Sequence, residues 1–199
     1  MILIPAKELG LLMNKFIAID FETAMHRPNS AISIGLVKYH DYQPVDTYYS
    51  LIRPPNLYIR PDFTDIHGLT IDDVIDAYDF KYLWENGIFE FLEGLPLAAH
   101  KAEFDMGVLR ATLEWYKIPL PKLFYFCTCN LSRKTWPELK SHALTALAKN
   151  FGIEYKAHNA LDDAMTCGKL VGMAADKLGE KASIKGLLKA AGIKMGRFG

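Results

Sequence analysis

The sequence predicts an α/β protein: a mixed sheet of five strands, the first three antiparallel, flanked by helices. Three observations lead there. Short apolar runs of strand length crowd the first quarter of the chain. Apolar residues then recur at helical spacing, and the remaining runs alternate between brief strands and helices, the order of a sheet covered by helices.

Residues 15–20 (KFIAID) give the first strand. Residues 31–39 (AISIGLVKY) and 47–52 (TYYSLI) give the next two, with the turn-like DYQP of 41–44 between them. Connections this short make an antiparallel meander. Thr70 and Asp73 frame a capping box that opens a short helix. Phe80, Leu83, Trp84, Gly87, Ile88, Phe91 and Leu92 fall at the i, i+3, i+4, i+7 spacing of a buried helix face. Residues 97–100 (LAAH) read as a brief strand, followed by a helix from about 103 to 116 and a further strand at 124–128 (FYFCT). Leu144, Leu147, Ala148 and Phe151 mark another helix, stopped by Gly152. A last long helix runs from 159 to about 178.

The 199 residues and 22.5 kDa suit one domain, placed at 15–178 between a lead-in at 1–14 and a basic tail at 179–199. With 50% hydrophobic and 23% charged residues the composition is globular and excludes disorder. Basic and acidic residues balance at 23 each, so no global charge points to DNA, a membrane or a polyanion. Three cysteines without a C-x-x-C pair exclude a disulfide framework and argue against structural zinc. No apolar run reaches the ~18 residues of a membrane span. The opening MILIPAK lacks a basic start and reads as an irregular lead-in, not a signal peptide. Together these features imply a soluble, cytoplasmic protein with no membrane partner. Residues 176–199 set five Lys and Arg197 against Asp176 and Glu180. They read as a solvated, partly frayed terminus, or, through Ile184, Leu187, Leu188 and Ile193, as a segment docked on the domain.

Certain acids stand in unusual places. Strand alternation puts Asp20 and Glu22 on one face and Phe21 on the other. The two carboxylates repel unless a cation sits between them; otherwise the strand ends at Asp20 and both reach water. Asp105 falls in the first turn of a helix, where an acid also complements the helix dipole. His158, Asp162 and Asp163 open the last helix and allow the same two readings.

Taken together, Asp20-Phe21-Glu22 on the first strand, Phe104-Asp105 after a short strand and His158-x4-Asp163 on a late helix resemble the DEDDh exonucleases. This is the DnaQ-like family of the ribonuclease-H-like fold, which includes the proofreading epsilon subunit of DNA polymerase III. The likeness covers about residues 15–175. Residues 66–70 (IHGLT) resemble an IHGIT-type segment of many epsilon-like members. Residues 51–55 (LIRPP), Cys127-Thr128 and residues 131–136 (LSRKTW) look like a stand-alone bacterial epsilon-like branch. Two departures stand out. Lys101 follows His100 where many relatives place Asn, and of the adjacent acids only the H-x4-D spacing selects Asp163 over Asp162.

The resemblance implies a five-stranded mixed sheet and a metal-dependent 3′→5′ exonuclease. It would act on single-stranded nucleic acid, DNA favoured and an RNA 3′ end the alternative, and release nucleoside 5′-monophosphates. It implies two divalent metal ions, Mg²⁺ or Mn²⁺, held by Asp20, Glu22, Asp105 and Asp163, with His158 as general base. Phe21, His67, Leu69 and Phe104 become candidates for base and sugar contacts, and the backbone N–H groups of Thr23 and Ala24 for the terminal nucleotide. A DNA polymerase subunit is the implied protein partner. The competing readings are a non-catalytic nucleic-acid-binding or polymerase-tethering module, an exoribonuclease or oligonucleotide-degrading enzyme, and an endonuclease of the same fold. Cys127 and Cys129 read as buried thiols on a strand; Trp84, Trp115 and Trp136 as core or rim packing.

Overall fold

A computed structural model describes residues 14–199; the lead-in expected at 1–14 lies, Asn14 aside, outside the described residues. Among the described residues six strands form one sheet: β1 (Lys15–Thr23), β2 (Ala31–His40), β3 (Gln43–Leu51), β4 (Leu97–Ala99), β5 (Leu123–Cys127) and β6 (Gly196–Phe198), in the order β3-β2-β1-β4-β5-β6. The expected meander is there, with β1/β2 and β2/β3 antiparallel. β4 and β5 extend it in parallel, and β6, which the sequence did not announce, closes the far edge antiparallel to β5.

The helices are α1 (Pro61–His67), α2 (Ile71–Val74), α3 (Phe80–Leu83), a π-turn at Trp84–Ile88, α4 (Phe89–Leu92), α5 (Ala102–Trp115), α6 (Thr128–Thr135), α7 (Leu144–Phe151), α8 (Ala160–Leu178) and α9 (Ile184–Ala190). The capping box at α2 forms as read: Asp73 accepts from the Thr70 N–H at 2.7 Å. The single helix expected over 80–92 breaks instead at Gly87, whose backbone is extended (φ 176°, ψ −55°). The ring of Tyr48 lies where a Cβ on Gly87 would press.

Two cores sandwich the sheet. Ile17, Ile19 and Phe21 of β1 pack with Phe80, Trp84, Ile88 and α5 on one side. Phe16 and Ala18 pack with α8, α6 and α9 on the other. Alternation therefore turns Asp20 and Glu22 toward the α8 side. The close approach of α8 has a specific cause. Gly35 pairs with Asp20 across β1 and β2, and any Cβ there would collide with the Ala160 carbonyl at the start of α8.

Three further readings change. β5 ends at Cys127, so Cys129 sits on α6 instead of a strand, although both thiols are buried as expected. Trp84 and Trp136 are core residues, whereas Trp115 is exposed. The terminal segment is not a frayed tail: Ser183 caps α9 by accepting from the Gly186 N–H at 2.9 Å, and Ile184, Leu187 and Leu188 are buried. Its lysines 181, 185, 189 and 194 point to solvent. No helix among the described residues is long and apolar enough to cross a membrane.

Candidate active site

The C-terminal end of β1, the first turn of α5 and the first turn of α8 meet at one end of the sheet. Asn159 caps α8, its side chain accepting from the Asp162 N–H at 3.2 Å, and this fixes the turn that carries Asp163. Carboxylate oxygens of Asp20, Glu22 and Asp163 lie within 4.8 Å of one another. Asp105 stands behind them, 1% exposed. Its Oδ1 accepts from the Phe21 N–H at 3.1 Å, while its Oδ2 is buried without a partner. His158, in the left-handed region at φ 61°, precedes α8 and lines the same cleft.

Burial and mutual repulsion push every member of this cluster toward its protonated form. Asp20 rises well above the usual carboxylate range, first through burial and then through the charges of Asp105, Asp163 and Glu22. Burial, with the Asp163 charge, lifts Glu22 to about 7. Burial lifts Asp163 to about 6 against the opposing pull of His158 and of the amides of His158 and Asn159. Asp105 is raised mainly by burial. Three converging carboxylates and a fourth with an orphaned oxygen, with no Lys or Arg among the described residues paired to any of them, are a donor set that fits divalent cations, which prefer oxygen ligands.

These shifts have a sign. A carboxyl raised on folding holds protons in the native state that the unfolded chain has released, so stability falls as pH rises. For the metal-free protein the fall begins near the ordinary carboxylate range of ~4 and runs through about 6 for Asp163 and about 7 for Glu22. Denaturation midpoints in EDTA are expected to drop between about pH 5 and pH 8, and to drop less with saturating Mg²⁺. A midpoint that climbs over that range in EDTA would contradict the cluster's electrostatics.

The carboxylates open into a cleft of about 420 Å³. His67 forms part of its wall, 8% exposed; Nδ1 accepts from the Leu69 N–H at 3.0 Å and Nε2 has no partner. Burial lowers its pKa against the opposing pull of the Thr23 backbone, so the neutral ring carries its proton on Nε2. Phe104 and Ile66 flank the opening, 52% and 51% exposed. His100 is fixed, Nδ1 on the Thr128 hydroxyl at 3.0 Å and Nε2 on the His142 carbonyl at 2.9 Å, and burial pushes it down to about 4. It is a neutral strut.

Of the substrate-contact candidates, Phe21, Thr23, His67 and Phe104 line the cleft, while Ala24 and Leu69 do not. The Phe21 ring itself packs in the core, 6.4 Å from that of Phe80. Ala24 is buried and its N–H is committed to the Ser30 carbonyl at 2.8 Å. Leu69 packs on a small satellite core and serves the site by orienting His67. Asp162 turns away and accepts from the Lys156 N–H at 3.3 Å. Sequence reading missed His26, Phe63, Ile66 and the Leu144-Thr145 edge of α7, all lining the cleft. Pro61 at the first position of α1 was the available signal for the first wall; nothing local marked the second.

A family model described as exonuclease (RNase_T) matches residues 17–171. A PolC-type DNA polymerase III of Streptococcus thermophilus (strain ATCC BAA-491 / LMD-9) is 28% identical over 187 residues, covering 92% of this chain and 12% of that protein. The chain spans between 10% and 29% of the length of the curated relatives it matches. Among solved structures, exonuclease X in complex with 5′ overhanging duplex DNA superposes with a TM-score of 0.70 at 23% identity, over 88% of this chain and 99% of that one. The nuclease domain of 3′hExo, described as a DEDDh family member bound to rAMP, superposes with a TM-score of 0.69 at 17% identity, over 83% and 94%. At these identities the likeness is one of fold.

Proposed function

Since this chain belongs to the exonuclease family, we propose that it trims single-stranded nucleic acid from the 3′ end, DNA in preference to RNA, releasing nucleoside 5′-monophosphates. The observation that carries this reading is the convergence of Asp20, Glu22 and Asp163 within 4.8 Å, backed by the orphaned oxygen of Asp105. A non-catalytic tethering module has no use for four carboxylates that repel one another.

Asp20, Glu22, Asp105 and Asp163 would hold two divalent cations, Mg²⁺ or Mn²⁺, which when bound would supply charge neutralisation at the phosphoryl oxygens and lower the pKa of water. His158, which lines the cleft, accepts the proton of the attacking water as a general base. Attack at phosphorus breaks the P–O3′ bond and leaves a shortened strand with a 3′-hydroxyl. Phe104 and Ile66 grip the terminal base, at ~1–3 kcal/mol for a stacked base. His67 forms part of the wall against which the terminal nucleotide lies. Similarity to structures holding duplex DNA in one case and rAMP in the other supports a nucleic-acid substrate, and the PolC-type relatives support a polymerase subunit as partner.

Oligonucleotides of DNA and RNA, 5′-labelled and incubated with Mg²⁺ or Mn²⁺, should shorten as a ladder from the 3′ end, and EDTA should stop it. A discrete internal product would replace the exonuclease with an endonuclease. His158→Ala should slow turnover by ~10²–10⁴, the span for a positioned acid–base group, with metal affinity little changed. Asp163→Asn should be far more damaging than Asp162→Asn. The reverse ranking would make Asp162 the ligand.

A further inference from the structure

Among the described residues seven non-glycine residues take a positive φ, and two of them line the cleft: His158 at φ 61° and Lys101 at φ 68°. His158 has its role above. Lys101 has none, and it breaks the local rules of its position. It is the N-cap of α5, where Ser, Thr, Asp or Asn would accept from the free N–H groups of the first turn, and its side chain makes no capping bond. A cation there opposes the helix dipole, and the left-handed region crowds any Cβ. The backbone is nevertheless pinned in that conformation. The Phe104 N–H bonds the Lys101 carbonyl at 2.9 Å, and the preceding His100 is anchored at both ring nitrogens, on Thr128 and on the His142 carbonyl. The Lys101 side chain stands exposed at the cleft wall, and among the described residues it makes no hydrogen bond and no ion pair, with the site acids or with any other group. Residues held in sparsely populated backbone regions cluster where ligands bind.

We propose that Lys101 binds a phosphodiester of the substrate strand, its ammonium pairing with a phosphate oxygen in the cleft. The proposal rests on the exonuclease reading above and adds a residue to it. Lysine meets a phosphate as a compact point charge and needs no second donor beside it. The rigid turn at His100 and Lys101 carries that charge on the same first turn of α5 that places Asp105.

The test is Lys101→Asn and Lys101→Arg in the full chain, melted in EDTA and assayed with Mg²⁺ on a dinucleotide and on a long single strand over a range of salt. Asparagine tolerates the left-handed region better than lysine, so Lys101→Asn should melt at or above the wild-type temperature. Its kcat/KM on the long strand should fall on the order of 10-fold, the scale of one hydrogen bond to a charged group, and mainly through KM. The plot of log(kcat/KM) against log[salt] should become shallower by ~0.7, one single-strand phosphate contact. Lys101→Arg keeps the cation and should restore both the rate and the slope. An equal loss on the dinucleotide assigns Lys101 to the scissile phosphate; a smaller one assigns it to the next phosphate upstream. Unchanged kcat/KM and salt slope in Lys101→Asn would overturn the proposal. So would a lower melting temperature in EDTA with the salt slope unchanged, since Lys101 would then serve only to offset the acid cluster. A wild-type protein that yields no 3′ ladder with Mg²⁺ would overturn the exonuclease reading itself, and Lys101 with it.

Discussion

Asp105→Asn is expected to lose hydrolysis on the order of 10³-fold and yet melt at a higher temperature than the wild type in EDTA. The first half follows from the scale of cation catalysis: several kcal/mol of transition-state stabilisation, at tenfold per ~1.4 kcal/mol. The second follows from the native electrostatics. Asp105 is 1% exposed, and its charge follows only burial among the causes that raise Asp20. Asparagine keeps the shape and an oxygen to accept from the Phe21 N–H, which the aspartate does at 3.1 Å. It removes the buried charge and leaves an amide where Oδ2 had no partner. Ladder assays with Mg²⁺ and thermal melts in EDTA check the two halves separately. Activity near wild type removes Asp105 from the metal site; a lower melting temperature in EDTA makes the residue a structural anchor.

That opposition between function and apo stability was legible in the sequence at the acids and hardly anywhere else. Period two on β1 and the spacing of His158 and Asp163 are local facts, and local facts place side chains on faces. What brings the faces together is not local. Gly35 is an unremarked glycine inside a strand until its pairing with Asp20 shows that it clears room for the start of α8. Phe21 looked available beside two site acids, but the strand's other face belongs to the core. Ala24 failed as a nucleotide donor because the chain turns after β1 and its N–H closes on Ser30. The helix over 80–92 has an unbroken apolar pattern, yet Tyr48, distant in sequence, packs against Gly87 where the helix breaks. The six-stranded sheet was underread by one strand because Gly196–Phe198 is too short to carry a pattern and exists only through its pairing with β5.

Deleting residues 181–199 is expected to cripple folding and, through it, the hydrolysis of every substrate alike. Ile184, Leu187, Leu188 and Phe198 are buried, the last with the Arg110 guanidinium over its ring at 4.9 Å. Burying such a side chain is worth ~1.5–3 kcal/mol, so the four contribute roughly 6–12 kcal/mol before the entropy of ordering the segment is deducted. That is comparable to the ~5–15 kcal/mol that holds a typical domain folded. Truncation also strips β6 from β5 and leaves a bare strand edge, an invitation to aggregate. Leu187→Ala is the milder version, expected to cost ~2–5 kcal/mol and to lower the melting temperature with the lysines intact. The exposed charges are a separate matter: Lys181, Lys185, Lys189 and Lys194 can gather upstream phosphates only if the segment stays docked. Replacing those four with Gln should therefore leave melting nearly unchanged, and any loss should fall on long strands alone, with a shallower salt dependence. Truncation should instead depress dinucleotide and long-strand hydrolysis together. A truncated protein that melts like the wild type and loses only long-strand affinity would show that the segment acts as a charged tail after all.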